Sequence, residues 1–355
     1  MVALERCNRL RDITHMGQET TLRDIARALD LSTSTVARAL ADSPQISEQT
    51  KARVRTSAAE LGYVAHSAAR AMRRGQSTLI GLIIPDVQNE FYGTLAKGLA
   101  QCCEKAGFQL LLAITEDDPD SEERHVRGLS EARAAGIVIV PSPRPRKETL
   151  ALLSRGLWVQ LIRRIDGVAA PWFGIDEEEA LRRATAHLLS LGHRRVGYVG
   201  GTLDLSTGRS RLAGYRAAYA DAGLKPPEEL VRVGPPRMQF AADAFDDIWF
   251  GPDRPTAIVA AGARLTAGIL ERIGRMSLKV PDDISVVGYG DAPWWSANLS
   301  TVGLPVREVA LACGEFLLRR VRDKTAEVDG GSVAYAAVHA PTLILRESTK
   351  SPSKR

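Results

Sequence analysis

Apolar residues in this chain recur with two different spacings. In residues 21–63, Leu22, Ile25, Ala26 and Leu29 fall three and four apart, on one helical face, behind the capping candidate Thr21. That helix is predicted to end near Asp30, with Leu31 in a tight turn. Ser32 then caps a second helix that turns Val36, Ala39 and Leu40 inward, with Pro44 beyond its end. Ser47, followed by Gln49 and Thr50, opens a third helix that buries Val54, Ala58 and Leu61 and stops at Gly62.

From Thr78 onward the pattern changes to short apolar runs separated by helical stretches. Strands are expected at residues 79–85, 108–114, 136–141, 157–162, 195–200, 256–260 and 284–288, and helices near 92–106, 121–134, 177–191, 209–222, 239–249, 263–274 and 306–322. The alternation predicts an α/β body of parallel sheets flanked by helices. Its length, in two similar halves, predicts two lobes with a ligand cleft at the C-terminal ends of the strands.

Composition narrows the class. The 355 residues are 45% hydrophobic and 25% charged, ordinary for folded domains and poor for disorder or coiled coil. The longest apolar run, near Leu79 to Pro85, is too short and Gly-interrupted for a membrane helix, and no secretory signal opens the chain, so a cytoplasmic protein without membrane contact is expected. Cys7, Cys102, Cys103 and Cys313 lack ligand spacing and read as reduced thiols without a metal. Residues 1–77 hold 12 Lys and Arg against 8 Asp and Glu, whereas the rest is nearly balanced, which directs any polyanion to the N-terminal segment.

Two short helices joined by a tight turn, with small Ala26 at their crossing, form a helix-turn-helix, whose second helix can enter a DNA major groove. Thr33, Ser34, Ala37 and Arg38 then face the bases, and Arg38 alone can read guanine bidentately. The same pattern also fits a plain three-helix bundle with solvated Arg and Ser. Residues 66–77, H-S-A-A-R-A-M-R-R-G-Q-S, favour helix at Ala68 to Met72 but are too few to hold one alone in water, and read equally as a basic linker.

The run T-L-R-D-I-A-R-A-L-D-L-S-T-S-T-V-A-R-A-L, with I-S-E-Q-T-K-A-R-V and A-E-L-G-Y-V, resembles the DNA-binding head of the lactose-repressor (LacI) family. The resemblance continues through I-P-D-V-Q-N-E-F-Y, H-L-L-S-L-G-H-R-R-V-G-Y-V-G-G, R-S-R-L-A-G-Y, D-I-S-V-V-G-Y-G-D and P-T-L-I-L-R-E-S-T, covering roughly residues 21–349. It implies DNA contacts from Thr21, Ser32, Thr33, Ser34, Thr35, Arg38, Ser47, Thr50, Arg53 and Tyr63. It also implies a hinge helix that folds on DNA, with Met72 wedged into the minor groove and Arg70, Arg73 and Arg74 at phosphates. The partners it implies are a palindromic double-stranded operator, a second copy of the chain and a small-molecule effector, without a cofactor.

By the same resemblance the body is periplasmic-binding-protein-like. The expected divisions are an extension (1–20), a head (21–65), a hinge (66–77), a body (78–348) and a tail (349–355). Within the body one lobe takes 78–191 with 305–334 and the other 192–304 with 335–348, the chain crossing near Leu191, Leu304 and residue 335. The tail carries no heptad repeat, which speaks against a coiled-coil tetramer. Candidate effector contacts are Asp86, Phe91, Tyr92, Asp176, Arg211 and Asp291, against the plain alternative of helix caps and surface ion pairs. Gly262-Ala263 and Gly290 stand where many sugar-sensing members carry polar residues. With Arg211 and Arg264 expected to be free of acidic competition, the effector is expected to be a sugar acid or sugar phosphate, or not a standard sugar.

No nucleotide loop, G-x-G-x-x-G, H-E-x-x-H or G-x-S-x-G occurs. His15, His66, His125 and His339 are scattered, and His193 is placed to meet helix-end carbonyls rather than act as a base. A ligand-gated transcriptional regulator, with repression implied by the resemblance, is therefore the expected function. The alternative is a small-molecule binding protein or sugar-modifying enzyme with a docking head.

Overall fold

The computed structural model describes residues 20–63, 77–291, 298–323 and 335–352. The chain divides into two compact units, Met1–Ser77 and Thr78–Arg355. The hinge residues Arg70, Met72, Arg73 and Arg74 lie outside the described residues, as do His15, His66 and Cys7.

The first unit contains α1 (Leu22–Leu29), α2 (Thr33–Leu40) and α3 (Glu48–Glu60). The Asp24 carboxylate opens α1 by accepting from the Thr21 backbone N–H at 2.8 Å and its hydroxyl at 2.7 Å. The turn into α2 is made by Asp30, left-handed at φ 55°, a conformation that a short polar side chain tolerates. Ser32 and Ser47 cap α2 and α3 by accepting from the backbone of Thr35 and Thr50. Ile25, Val36, Ala39 and Val54 are fully buried between the three helices. Leu61, expected inside, is 40% exposed: α3 has ended, Gly62 turns the chain at φ 64°, and Tyr63 packs in its place.

The second unit is built on two sheets. The first lobe carries β1 (Leu79–Ile84), α4 (Glu90–Lys105), β2 (Gln109–Ile114), α5 (Pro119–Glu131), β3 (Gly136–Ile139), α6 (Lys147–Leu153), β4 (Trp158–Leu161) and β5 (Trp172–Ile175). The second carries α7 (Glu177–Ser190), β6 (Val196–Gly201), α8 (Ser206–Asp221), β7 (Val231–Gly234), α9 (Met238–Trp249), β8 (Ala257–Ala261), α10 (Ala263–Arg275), β9 (Ser285–Tyr289) and β10 (Ser300–Gly303). The chain then returns through α11 (Val306–Arg322) and β11 (Ala336–His339) to the first lobe and ends with β12 (Thr342–Ile344) in the second.

Among the described residues the strand orders are β11-β5-β4-β3-β1-β2 and β12-β10-β9-β8-β6-β7. Every pairing is parallel except β10 with β12. Apolar cores cover both faces of each sheet, as parallel sheets require. No described helix is long and apolar enough to cross a membrane.

Two of the three crossings differ from expectation. Ala180, Leu181, Ala184 and Leu188 of α7 pack in the second lobe, so the chain crosses at Asp176 rather than near Leu191. The last crossing falls after His339 rather than near residue 335, because β11 pairs with β5 before the chain leaves. Between β10 and α11 the chain passes from the second sheet to the first-lobe core. Residues 349 and 350, assigned to a tail, are tied to the second lobe.

Buried His193 holds that segment. Its Nε2 donates to the Lys350 carbonyl at 2.9 Å and its Nδ1 accepts from the Thr256 hydroxyl at 2.7 Å. Its carbonyl partner comes from the C-terminal segment rather than a helix end. Burial lowers the pKa of both His193 and nearby His187. A depressed imidazole pKa contributes stability that is present above about pH 6.5 and lost as pH falls. The melting midpoint of the body is therefore expected to drop between about pH 7.5 and pH 5, and to drop less in His193→Gln. Equal pH profiles for the two proteins would contradict the assignment.

Candidate nucleic-acid interface and ligand cleft

On the head, the caps decide which side chains remain available. Ser32 Oγ is tied to Ser34 Oγ and Thr35 Oγ1, each at 2.8 Å, and half-buried Thr35 leans into this knot. Ser47 and Thr50 are linked in the same way at 2.9 Å. Thr33 and Ser34 are exposed on the first turn of α2 and Arg38 one turn on, whereas Ala37 is half-buried. The guanidinium of Arg38, like those of exposed Arg23 and Arg53, has no hydrogen-bond or ion-pair partner among the described residues. The other basic groups of the head are neutralised. Lys51, almost wholly buried, pairs with Glu48 at 2.7 Å and Asp42 at 3.1 Å, and Asp42 also holds Arg55 at 2.8 Å.

In the body, buried Arg163 just after β4 and half-buried Arg211 on α8 come from opposite lobes to one cleft. Arg211 on α8 binds Glu177 through Nε and Nη2, both at 2.8 Å, and donates through Nη1 to the Ala261 carbonyl at 3.0 Å. Its guanidinium lies 4.1 Å from the centre of the Tyr289 ring, and the Tyr289 hydroxyl donates to Glu177. Burial opposes its charge, but Glu177 and Tyr289, with Tyr198, together outweigh burial and hold its pKa well above the usual value. In the first lobe Arg163, just after β4, donates to the Asp117 carboxylate and to the Pro141 carbonyl. Burial again opposes the charge. Tyr92 and Asp117 outweigh it, while Arg211 across the cleft pushes the other way.

The mouth of the cleft is bridged. Arg144 meets Asp204 at 2.8 Å, Arg209 meets Asp166 at 2.5 Å, and the Arg164 N–H donates to the Ser206 hydroxyl at 3.0 Å. The pocket left there is about 50 Å³, little more than a water or two, so a larger ligand enters only when these contacts part.

The expected effector residues separate into two groups. Arg211 and Tyr92 face the cleft cluster, with Phe91 edge-on to Tyr92 at 5.2 Å. Asp176, by contrast, caps α7 by accepting from the Glu179 N–H. Asp86 closes a turn onto Gln88. Asp291 forms a two-point ion pair with Arg346 at 2.9 and 3.0 Å. The expectation that Arg211 lacks acidic competition is overturned by Glu177, the residue next to Asp176; Arg264 alone has no acidic partner among the described residues. Gly290 has a backbone reason for its identity, a left-handed φ of 86°.

Sequence reasoning missed Glu177, Tyr289, Asp117 and Arg163. Of these, only Arg163 carried a signal, a charge at the C-terminal end of an apolar strand. Cys102, Cys103 and Cys313 are free thiols in the first lobe, with Cys103 pushed up to about 11 by burial. The described residues contain no His, Cys, Asp and Glu group suited to a metal.

A helix-turn-helix head joined to a two-lobed, cleft-bearing body defines a ligand-responsive regulator. The family model for bacterial regulatory proteins of the lacI family matches residues 21–66, and that for a periplasmic binding protein-like domain matches residues 185–349. The HTH-type transcriptional repressor PurR of Vibrio campbellii is 30% identical over 312 residues, 86% of this chain and 93% of that one. The ribose operon repressor of Escherichia coli K12 is 28% identical over 86% of this chain and 94% of its own. In structure, the lac repressor dimer bound to operator and the anti-inducer ONPF superposes with a TM-score of 0.81 at 22% identity, over 94% of this chain and 100% of that one. The chain belongs to the lacI family of bacterial regulatory proteins. It is a sequence-specific DNA-binding regulator.

Removing one partner of a buried ion pair leaves an uncompensated charge, at a cost of about 3–5 kcal/mol. Glu177→Gln is therefore expected to lower the denaturant stability of the body by that order, with Arg211 stranded. A loss below about 1 kcal/mol, the size of an exposed pair, would show that water reaches the pair in the folded body.

Proposed function

We propose that the protein is a homodimeric transcriptional repressor whose operator affinity is set by an uncharged sugar in the interlobe cleft. The observation that carries the DNA half is the exposed set Thr33, Ser34 and Arg38 on α2, with the Arg38 guanidinium unpartnered among the described residues, on a head whose other cations are mostly paired. Thr33, Ser34 and Arg38 read base edges, while Thr21, Ser32, Thr35, Ser47, Thr50, Arg53 and Tyr63 position the head against phosphates. Arg70, Met72 and Arg73 extend the contact along the hinge, with Met72 as the wedge.

A second copy is favoured by the free edge of the first sheet. On β2, Leu111, Leu112 and Ile114 are 43%, 38% and 38% exposed, with Val87 nearby in sequence to β1 at 44%. An apolar edge strand of this kind needs cover. Two-fold pairing would place two α2 helices on the half-sites of a palindrome.

The effector class follows from charge. Arg163 and Arg211 are each already balanced by a carboxylate, Asp117 and Glu177, and Glu122 lies close by with its pKa raised by burial. A ligand anion would leave this enclosed site with a net negative charge, so an uncharged polyhydroxyl compound fits better than a sugar acid or phosphate. Relatives named as a ribose operon repressor and as PurR repressors support repression, and the first also supports a sugar.

Arg38→Ala tests the reader assignment. In a selection of duplexes from a random-sequence pool, the wild type is expected to enrich a palindrome. The variant is expected to keep it but lose preference at one symmetric base pair, about 1–3 kcal/mol of discrimination. An unchanged preference there removes Arg38 from the readers.

A further inference from the structure

The two cleft arginines are not equivalent, and the difference lies in which edge of each guanidinium is used. Glu177 occupies the Nε/Nη2 edge of Arg211, and the Ala261 carbonyl takes Nη1. Arg163 is held the other way. Asp117 and Pro141 take its Nη1, Asp117 also takes Nη2, and Nε has no protein acceptor among the described residues. Its Nε–H and second Nη2–H therefore form an unused side edge, two parallel donors in one plane. Arg163 is 5% exposed and lines the remaining pocket with Ser142 and Ser206.

The backbone around this pair is unusual. Ile162, immediately before Arg163, is left-handed at φ 63°, and Glu116 and Asp117 are left-handed in succession at φ 52° and 63°. A β-branched residue in that region is an outlier, and such conformations persist where surrounding structure imposes them. Here they aim a guanidinium and its carboxylate at each other beneath the cleft.

We propose that Arg163, clamped by Asp117, is the specificity-determining residue of the first lobe, its free edge binding two adjacent hydroxyl oxygens of an uncharged sugar while Asp117 excludes anionic analogues. The inference rests on the sugar-effector reading above. Two vicinal hydroxyls can accept from both donors of a side edge without bringing a charge. A phosphate or carboxylate there would place a second anion on a guanidinium that already carries one. Arg211, with its side edge spent on Glu177, contributes only its remaining donors from the far wall. The selectivity for charge thus resides in the first lobe.

The test is calorimetric titration of the full-length wild type, Arg163→Gln and Asp117→Asn with D-ribose, D-glucose and their terminal phosphates, after thermal melting has established that each variant folds. The wild type is expected to bind a neutral sugar better than its phosphate. Arg163→Gln should weaken that sugar by roughly tenfold or more, the loss of hydrogen bonds to a charged group. Asp117→Asn removes the excluding charge and should shift the preference toward the phosphate by roughly tenfold. That shift keeps the proposal falsifiable if Arg163→Gln does not fold, and a purely structural role for the pair would not produce it. Wild-type affinity in Arg163→Gln, or an unchanged preference in Asp117→Asn, overturns the role of Arg163 and leaves the sugar reading intact. Failure of the wild type to bind either neutral sugar overturns the sugar reading, and this inference with it.

Discussion

Two guanidinium groups taken out of water into one cleft constrain the body more than any other feature. Buried charges persist only when paired and hydrogen-bonded, and here each arginine has recruited a carboxylate from its own lobe. Arg163 and Asp117 belong to the first lobe, Arg211 and Glu177 to the second. The like charges of the arginines oppose each other across the gap, so neither lobe binds the other through its arginine. Closure is left to the exposed contacts at the mouth, Arg144 with Asp204 and Arg209 with Asp166. Such pairs contribute about 0–1 kcal/mol each and weaken with salt. These exposed pairs are the contacts that a ligand's differential affinity for two lobe arrangements would work against.

The head obeys the opposite economy. Its core is small, resting on Ile25, Val36, Ala39 and Val54, and its helices are opened by side-chain caps at Asp24, Ser32 and Ser47. Local pairing consumes Lys51 and Arg55 but leaves Arg23, Arg38 and Arg53 without a partner among the described residues. The core and the caps are therefore carried by residues other than exposed Arg38, which can be changed without touching either.

What could be read from the sequence followed the range of the interactions involved. Caps, helical spacing and the turn at Asp30 are local, and the three head helices were legible from them. The β/α alternation was legible for the same reason. The short strands W-F-G-I, V-R-V-G and S-T-V-G were not, because they are brief or broken by glycine and owe their conformation to neighbours in the sheet. The lobe crossings were misplaced because the assignment of α7 depends on which core it meets. In the cleft, Arg211 was named through resemblance and expected to be free of acidic competition; Asp176 was named as an effector contact, and its neighbour Glu177, which pairs with Arg211, was passed over. Arg163 stands one residue past the run 157–162 read as strand and was not singled out. Which carboxylate neutralises which arginine is decided by tertiary contact across 34 residues in one case and 46 in the other, and residue type alone does not encode it.

The central claim is that the cleft and the head belong to one linked equilibrium, and linkage is reciprocal. The most direct measurement is the dissociation constant of a selected palindromic duplex by fluorescence anisotropy at fixed salt, with and without a saturating neutral sugar, paired with the sugar's own affinity for free and DNA-bound protein. The account predicts that sugar changes DNA affinity, and that DNA changes sugar affinity by the same factor, in the range of about 5–150-fold. Sugar binding that is equally tight with and without DNA would contradict it.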